Sequence, residues 1–271
     1  MAREYIARDP RTGERIGAKR KGARKGVGIA ALSPDSGPWQ RLEPHEILPL
    51  ANGESGKIEI LADGKRWLLG RIDAIKALAK VPEKDAERAY DSLVDALEDD
   101  FPDVRIAALK TLPSFSLRRQ GILLHCLSDR LVDDEDSVRE EAMTCLKKVA
   151  PLFPSGCEEI LRRELRDSRK DHRGNAFEAL KLASREWPEV GCLHLDELIR
   201  EEEADLRIRG SMILRTIASK GGAEAWDLIG WSLQDEEVRV RRNAAKTLTI
   251  LADVEPRVAV ILVESSIGED D

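Results

Sequence analysis

Apolar positions recur along this chain at a fixed interval of 34 residues, with the same internal spacing each time. Counting from Val104, Val138, His172, Leu206 and Val240, the apolar side chains fall at i, i+4, i+8 and i+11, with His172 the one polar starting point. That spacing is one stripe of an amphipathic helix; a strand would alternate at every second residue. An arginine follows each starting position, and the series Arg71, Arg105, Arg139, Arg173, Arg207 and Arg241 runs without an insertion. Three residues past each arginine stand Ala74, Ala108, Ala142, Ala176, Gly210 and Ala244; seven past stand Leu78, Leu112, Leu146, Leu180, Leu214 and Leu248. A second helix precedes this one, with Leu93, Leu127, Leu161, Leu195 and Ile229 in one column. Leu97, Leu131, Leu165, Ile199 and Leu233 follow four residues on.

Each unit is therefore a helix A, a short acidic turn and a helix B. Breakers recur in the same register at Pro154, Pro188, Gly222 and Pro256, where one helix ends and the chain reverses. Helices of about a dozen residues are marginal alone in water, so each unit depends on its neighbours. A period in this range predicts a tandem array whose repeats complete one another's cores. The expected fold is all-α, a right-handed α-solenoid with an irregular N-terminal cap. Residues 1–37 form a basic arm, 38–86 a cap with a degenerate first repeat, 87–253 five regular repeats, and 254–271 a capping helix with an acidic tail. Within the cap, the segment KIEILADGKRW is consistent with a small hairpin around Asp63-Gly64.

The 34-residue period also belongs to tetratricopeptide repeats, but no column holds that pattern's Trp, Leu-Gly and Tyr. What recurs is an acid six residues before the arginine, then apolar-Arg-x-x-Ala-x-x-x-Leu, as in DDFPDVRIAALKTL, DDEDSVREEAMTCL and DEEVRVRRNAAKTL. These runs resemble HEAT repeats, most of all the short 34-residue subtype of the phycobilisome-lyase type, over residues 66–253. The resemblance implies a ladder of acid–arginine pairs between neighbouring units: Asp99 with Arg105, Asp133 with Arg139, Asp167 with Arg173, Glu201 with Arg207 and Asp235 with Arg241. Each carboxylate would accept from the guanidinium at the next helix start, where its charge also suits the helix dipole. The competing reading is a phosphate-binding rail of arginines. Lys65 stands where Arg71 would have its acid, which marks the first unit as irregular.

The repeat names a fold and no activity, since HEAT-like arrays serve as scaffolds, lyases, hydroxylases and nucleic-acid enzymes. Some, deoxyhypusine hydroxylase among them, hold two irons with repeated His-Glu pairs. Here the sole His-Glu pair, His45–Glu46, lies outside the array. No nucleophile constellation is present, and His172 reads as a structural histidine in an aliphatic column. The expectation is a non-enzymatic scaffold without cofactor or metal; a HEAT-like DNA glycosylase or lyase is the enzymatic alternative. Four cysteines, Cys126, Cys145, Cys157 and Cys192, include no C-x-x-C pair and read as buried free thiols of a reducing, cytoplasmic setting. No segment approaches a signal peptide or a membrane span.

Charge refines the search for partners. The net of −7 hides an asymmetry, because residues 1–25 carry a net of +6 and the remainder −13. Arg15, Lys19, Arg20, Lys21, Arg24 and Lys25 make the arm a candidate contact for ribosomal RNA or DNA, or a solubilising tail. Acids gather in the inter-helix turns, as capping groups or as a docking strip for a basic partner. Helix B is expected to line the concave face. Its outward columns are Ala107, Glu141, Asn175, Arg209 and Asn243, then Lys110, Thr144, Glu178, Met212 and Lys246. Their mixed signs suit a protein partner better than a nucleic acid. Trp231 falls in a polar helix-A column, either packed beneath segment 254–267, whose Val263 and Ile267 continue the Leu195 and Ile199 columns, or exposed as a binding anchor.

Overall fold

The structure of the protein, a computed structural model, describes residues 37–62, 64–115 and 120–267. It is an all-α solenoid of paired, HEAT-like helices, and the chain divides into two compact units that meet in sequence at Phe115 and Ser116.

In the first unit, Glu43 opens helix α1 (Pro44–Ala51) with a capping box in which its amide donates to Glu46 Oε2 at 2.8 Å. A hairpin of β1 (Ile58–Ala62) and β2 (Lys65–Leu69) follows, in antiparallel register from Ile58↔Leu69 to Ala62↔Lys65. Its two-residue connection includes Gly64 at φ 71°, a conformation that glycine adopts without steric cost. Helix α2 (Arg71–Ala77) then begins the repeat pattern, and α3 (Ala86–Leu97) and α4 (Pro102–Thr111) form the first regular pair. Ala74 and Ala108 have no exposed surface, and this close approach lets Thr111 Oγ1 donate to Ile75 O at 3.2 Å from α4 to α2. Leu42, Ile47, Leu50, Leu69 and Leu78 are among the buried side chains of this unit.

The second unit holds four pairs and a last helix. The pairs are α5 (Gln120–Arg130) with α6 (Asp136–Val149), α7 (Pro154–Glu164) with α8 (Lys170–Glu186), α9 (Pro188–Leu198) with α10 (Ala204–Ser211) and α11 (Leu214–Ile217), and α12 (Gly222–Leu233) with α13 (Val238–Val254); α14 (Pro256–Ile267) ends the unit. A helices stack on A helices (α5, α7, α9, α12), while α6 packs on α8, α8 on α11, and α10 and α11 on α13. The recurring prolines do more than end a helix: Pro154, Pro188 and Pro256 are the first residues of α7, α9 and α14, where the missing N–H would have had no partner anyway. Leu146, Leu180 and Leu214 are wholly buried, each contributing roughly 1.5–3 kcal/mol. The break between α10 and α11 falls at Met212-Ile213, directly after Gly210-Ser211, where Ser211 Oγ donates to Ile208 O at 2.6 Å, a Gly/Ser pair of the kind that kinks helices.

Candidate protein-docking site

The acid column first builds the turns. Asp99, Asp133, Asp167 and Asp235 each accept, through Oδ1, the amide N–H two residues on: Phe101 at 2.9 Å, Glu135 at 3.1 Å, Arg169 at 2.7 Å and Glu237 at 2.8 Å. This is an Asx turn, and it needs the short aspartate arm. The arginine closes the same turn from the other side by donating to main-chain carbonyls. Arg105 reaches Asp99 O and Asp100 O (2.7 and 3.1 Å), Arg207 reaches Glu201 O and Glu202 O (2.8 and 2.9 Å), and Arg241 reaches Asp235 O and Glu236 O (2.6 and 2.8 Å). Arg139 likewise donates to Asp133 O and to Asp134 O.

The expected pairing of the carboxylate with the arginine six residues later is thus corrected at Asp99, Asp167, Glu201 and Asp235. At two rungs the carboxylate serves the arginine of the preceding repeat instead: Arg71 meets Asp99 at 2.6 Å and Arg207 meets Asp235 at 3.0 Å, each 28 residues away; Asp133 meets Arg130 at 3.4 Å. Within a turn, the side chain of residue i+6 lies over the main chain of residue i, so the carboxylate is left to face the neighbouring unit. Two further rungs depart from the pattern. Asp167 is held by Arg169, whose hydrogen bonds push its carboxyl down to about 2. Glu201 is taken by Arg166 at 2.5 Å, so Arg173 turns to Glu203 and Asp205, at 3.4 and 3.1 Å.

Further ties join consecutive A helices. Arg162 grips Glu197 with Nε and Nη2 at 2.8–3.1 Å, and Arg163 donates to Ser128 Oγ at 2.8 Å, each across 35 residues. Near the opposite ends of the helices, Trp187 Nε1 donates to Pro151 O at 2.9 Å.

The two helix-B columns separate. Lys110, Thr144, Glu178, Met212 and Lys246 are exposed, Met212 by 57%. Glu141, Arg209 and Asn243 are half-buried and Ala107 is buried, so this column does not point outward as a free face. It borders the seam between B helices: Lys147 Nζ donates to Asn175 Oδ1 at 2.6 Å, and Asn243 Nδ2 donates to Ser211 Oγ at 2.9 Å. The reason is angular. The position two past the arginine lies one turn before the position six past it, and that second column (Thr111, Cys145, Ala179, Ile213, Thr247) is buried throughout. Arg209 is drawn onto the seam by Asp205 at 3.0 Å and by the Phe177 ring at 6.0 Å.

Trp231 is 64% exposed, so segment 254–267 does not bury it. Helix α14 meets α12 at Gly230, where Leu262 sits, and buries Ala259. Val263 and Ile267 stay open to solvent. Trp231 stands instead at the lip of a groove of about 290 Å³ between α9 and α12, lined by Leu193, Asp196, Arg200, Glu224, Asp227 and Leu228, with Cys192 at its base. Arg200 is tied to Asp196 at 2.7 Å, which leaves Glu224 and Asp227 as an uncompensated acidic pair among the lining groups. The four cysteines are free and buried. Burial pushes the thiols of Cys157 and Cys192 up to about 12 and 11, so neither is a nucleophile at neutral pH.

One cluster escaped the reading of the sequence. Glu164, Asp167 and His172 bring ligand atoms within 4.8 Å of one another. Glu164 lies in a mixed column that also holds Ala96, Arg130, Leu198 and Ser232, whereas His172 is the one polar residue of its column. The polar departure at His172, eight residues after a carboxylate, was the available signal. The arm residues Arg15, Lys19, Arg20, Lys21, Arg24 and Lys25 lie outside the described residues. Among the described residues, no helix is long and apolar enough to cross a membrane.

No protein family and no curated protein matches the chain. Solved structures similar to it include the archaeal HEAT-like repeats protein from Thermococcus onnurineus NA1 (13% identity, TM-score 0.47, covering 84% of this chain and 89% of that one). The complex of CpcE and CpcF of phycocyanin lyase from Nostoc sp. PCC7120 matches with 16% identity, TM-score 0.39 and coverage of 90% and 93%. Computationally designed armadillo repeat proteins for modular peptide recognition match with 15% identity, TM-score 0.38 and coverage of 76% and 99%.

Proposed function

We propose that the protein is a non-catalytic scaffold that holds a basic segment of another protein in the groove between α9 and α12, with Trp231 as its anchor. The observation that carries this reading is a large aromatic, 64% exposed, beside Asp196, Glu224 and Asp227 with a single guanidinium among them. A lysine or arginine head would sit over the indole face while its methylene stem lies along Leu193. The volume suits one or two side chains rather than an entire cofactor. Tryptophan is also the residue most enriched where binding energy concentrates. Within the second unit, the exposed helix-B column of Thr144, Glu178, Met212 and Lys246 is a second face of the same scaffold. We assign the repeats to the short 34-residue HEAT-like subtype on their acid–Arg–Ala–Leu register, and a cytoplasmic setting on the four buried, free thiols.

The test uses two fluorescently labelled peptides with the same apolar residues, one interspersed with Lys and Arg and the other with Asp and Glu. The basic peptide is expected to bind. Trp231→Ala should weaken it at least about tenfold, or roughly 1.4 kcal/mol, with an unchanged melting temperature. Equal binding of the acidic peptide, or full binding by the variant, would overturn the reading. Retention on RNA that disappears when residues 1–25 are deleted would favour a nucleic-acid partner instead.

A further inference from the structure

Glu164 ends α7, Asp167 lies in the turn and His172 sits in the first turn of α8, so one tight reversal brings the three together. The Glu164 side chain is 1% exposed, and its two oxygens have different surroundings. Oε1 accepts from Arg163 Nε at 2.8 Å, whereas Oε2 is buried without a hydrogen-bond partner. His172 Nδ1 is also buried without a partner, and it faces Glu164 Oε2 at 3.8 Å. With Nδ1 unprotonated, both groups offer lone pairs and neither offers a proton. Two such acceptors, both withdrawn from water and facing each other, call for a positive centre between them.

Asp167 supplies the third side. A carboxylate has about four lone-pair positions. Arg169 takes three of them, through its amide and Nε on Oδ1 and its Nη2 on Oδ2, which leaves one directed elsewhere. We propose that Glu164, Asp167 and His172 bind a single divalent cation of the zinc class.

One imidazole nitrogen and two carboxylate oxygens are an ordinary donor set for such an ion. Bonds of about 2.0–2.1 Å set ligand atoms roughly 3.3 Å apart, so the 3.8 Å between Glu164 and His172 closes by a few tenths of an ångström. A water would complete the fourth position. Other repeats support a dedicated role, because their equivalents of His172 are Val104, Val138, Leu206 and Val240. The fold has no need of a polar group at the His172 position. Arg163 is the competing cation on Glu164, but it is also bonded to Ser128 and half-exposed, so it can yield.

The full-length chain, stripped with chelator, is titrated calorimetrically with Zn²⁺ alone in a non-coordinating buffer near neutral pH. One saturable ion per chain is expected, with a raised melting temperature at saturation. The double variant Glu164→Leu/His172→Val installs residues that other repeats carry at these positions. It should lose the event by at least thirtyfold while melting, metal-free, no lower than the parent. Arg163→Gln should tighten binding severalfold by removing the competing charge. Absence of a saturable event would overturn the site and leave a proton or a water between the two groups. Persistence of the event in the double variant would overturn it too, since the ion would then lie elsewhere, for instance on the thiols. Weaker binding by Arg163→Gln would also count against it.

Discussion

Replacing His194 with leucine should remove a specific acid sensitivity from the second unit. His194 lies on α9 with no exposed surface, and neither ring nitrogen has a hydrogen-bond partner. Burial is the chief cause that lowers its pKa from 6.5 to about 4; nearby Glu197 and Glu159 oppose the shift, and Arg162 and Arg166 reinforce it. The folded-state value is below the unfolded one, so between these two values the unfolded chain binds a proton that the folded chain refuses. Stability from this group is full above about pH 6.5 and is lost as pH falls towards 4. Between pH 7 and pH 5 the linkage relation gives a loss of about 1.8 kcal/mol. Carboxylates contribute little in this window, because their unfolded pKa values lie near 4. The same column holds Ile160 and Leu228, so leucine suits the site and also removes two unpaired polar atoms. Urea unfolding of parent and His194→Leu at both pH values, followed by circular dichroism, isolates the term as a difference of differences. The variant should equal or exceed the parent at pH 7 and gain about a further 1.8 kcal/mol on it at pH 5. A parent-to-variant gap that does not change with pH would refute the argument.

Arg207→Ala should cost about 3 kcal/mol, because it leaves Asp235, 8% exposed, without its cation and uncaps two carbonyls of its own turn. Hydrogen exchange should then accelerate in α9 to α13 before α5, whereas unchanged melting with lost polyanion binding would revive the phosphate-rail reading. Gly191→Ala should destabilise by roughly 1–3 kcal/mol despite its better helix propensity, since the new Cβ would stand 2.6 Å from Ile217 Cγ2 and 2.7 Å from Ser184 Oγ; a rise in melting temperature would contradict this packing. Glu197→Gln should cost about 1 kcal/mol or less in denaturant titration, because the Arg162 and Arg166 pairs are partly exposed, and a larger loss would show the A-helix ties to be principal supports.

Much of this protein was written along one dimension. A helix repeats its faces every 3.6 residues, so the columns of Leu, Ala and Arg suffice to specify paired helices, their approximate ends and a tandem array. Small residues at Ala108, Ala142 and Ala176 likewise announced close contact, and all three are fully buried. What remained undecided was rotational and relational. Whether Arg209 and Asn243 face solvent or a neighbour depends on which flank of helix B the next repeat covers, and that follows from how the pairs stack. The acid column was legible as a column, but its partners were not. The turn geometry assigns Arg207 to the carbonyls of Glu201 and Glu202 and to the carboxylate of the following turn, and sequence spacing alone does not separate these acceptors. Column averaging also hides single departures. His172 reads as a single exception in its series, and only the reversal between α7 and α8 sets it against Glu164 at 3.8 Å. Periodicity thus determines what repeats along the chain, while tertiary packing determines where the sequence breaks its own rule and what that break faces.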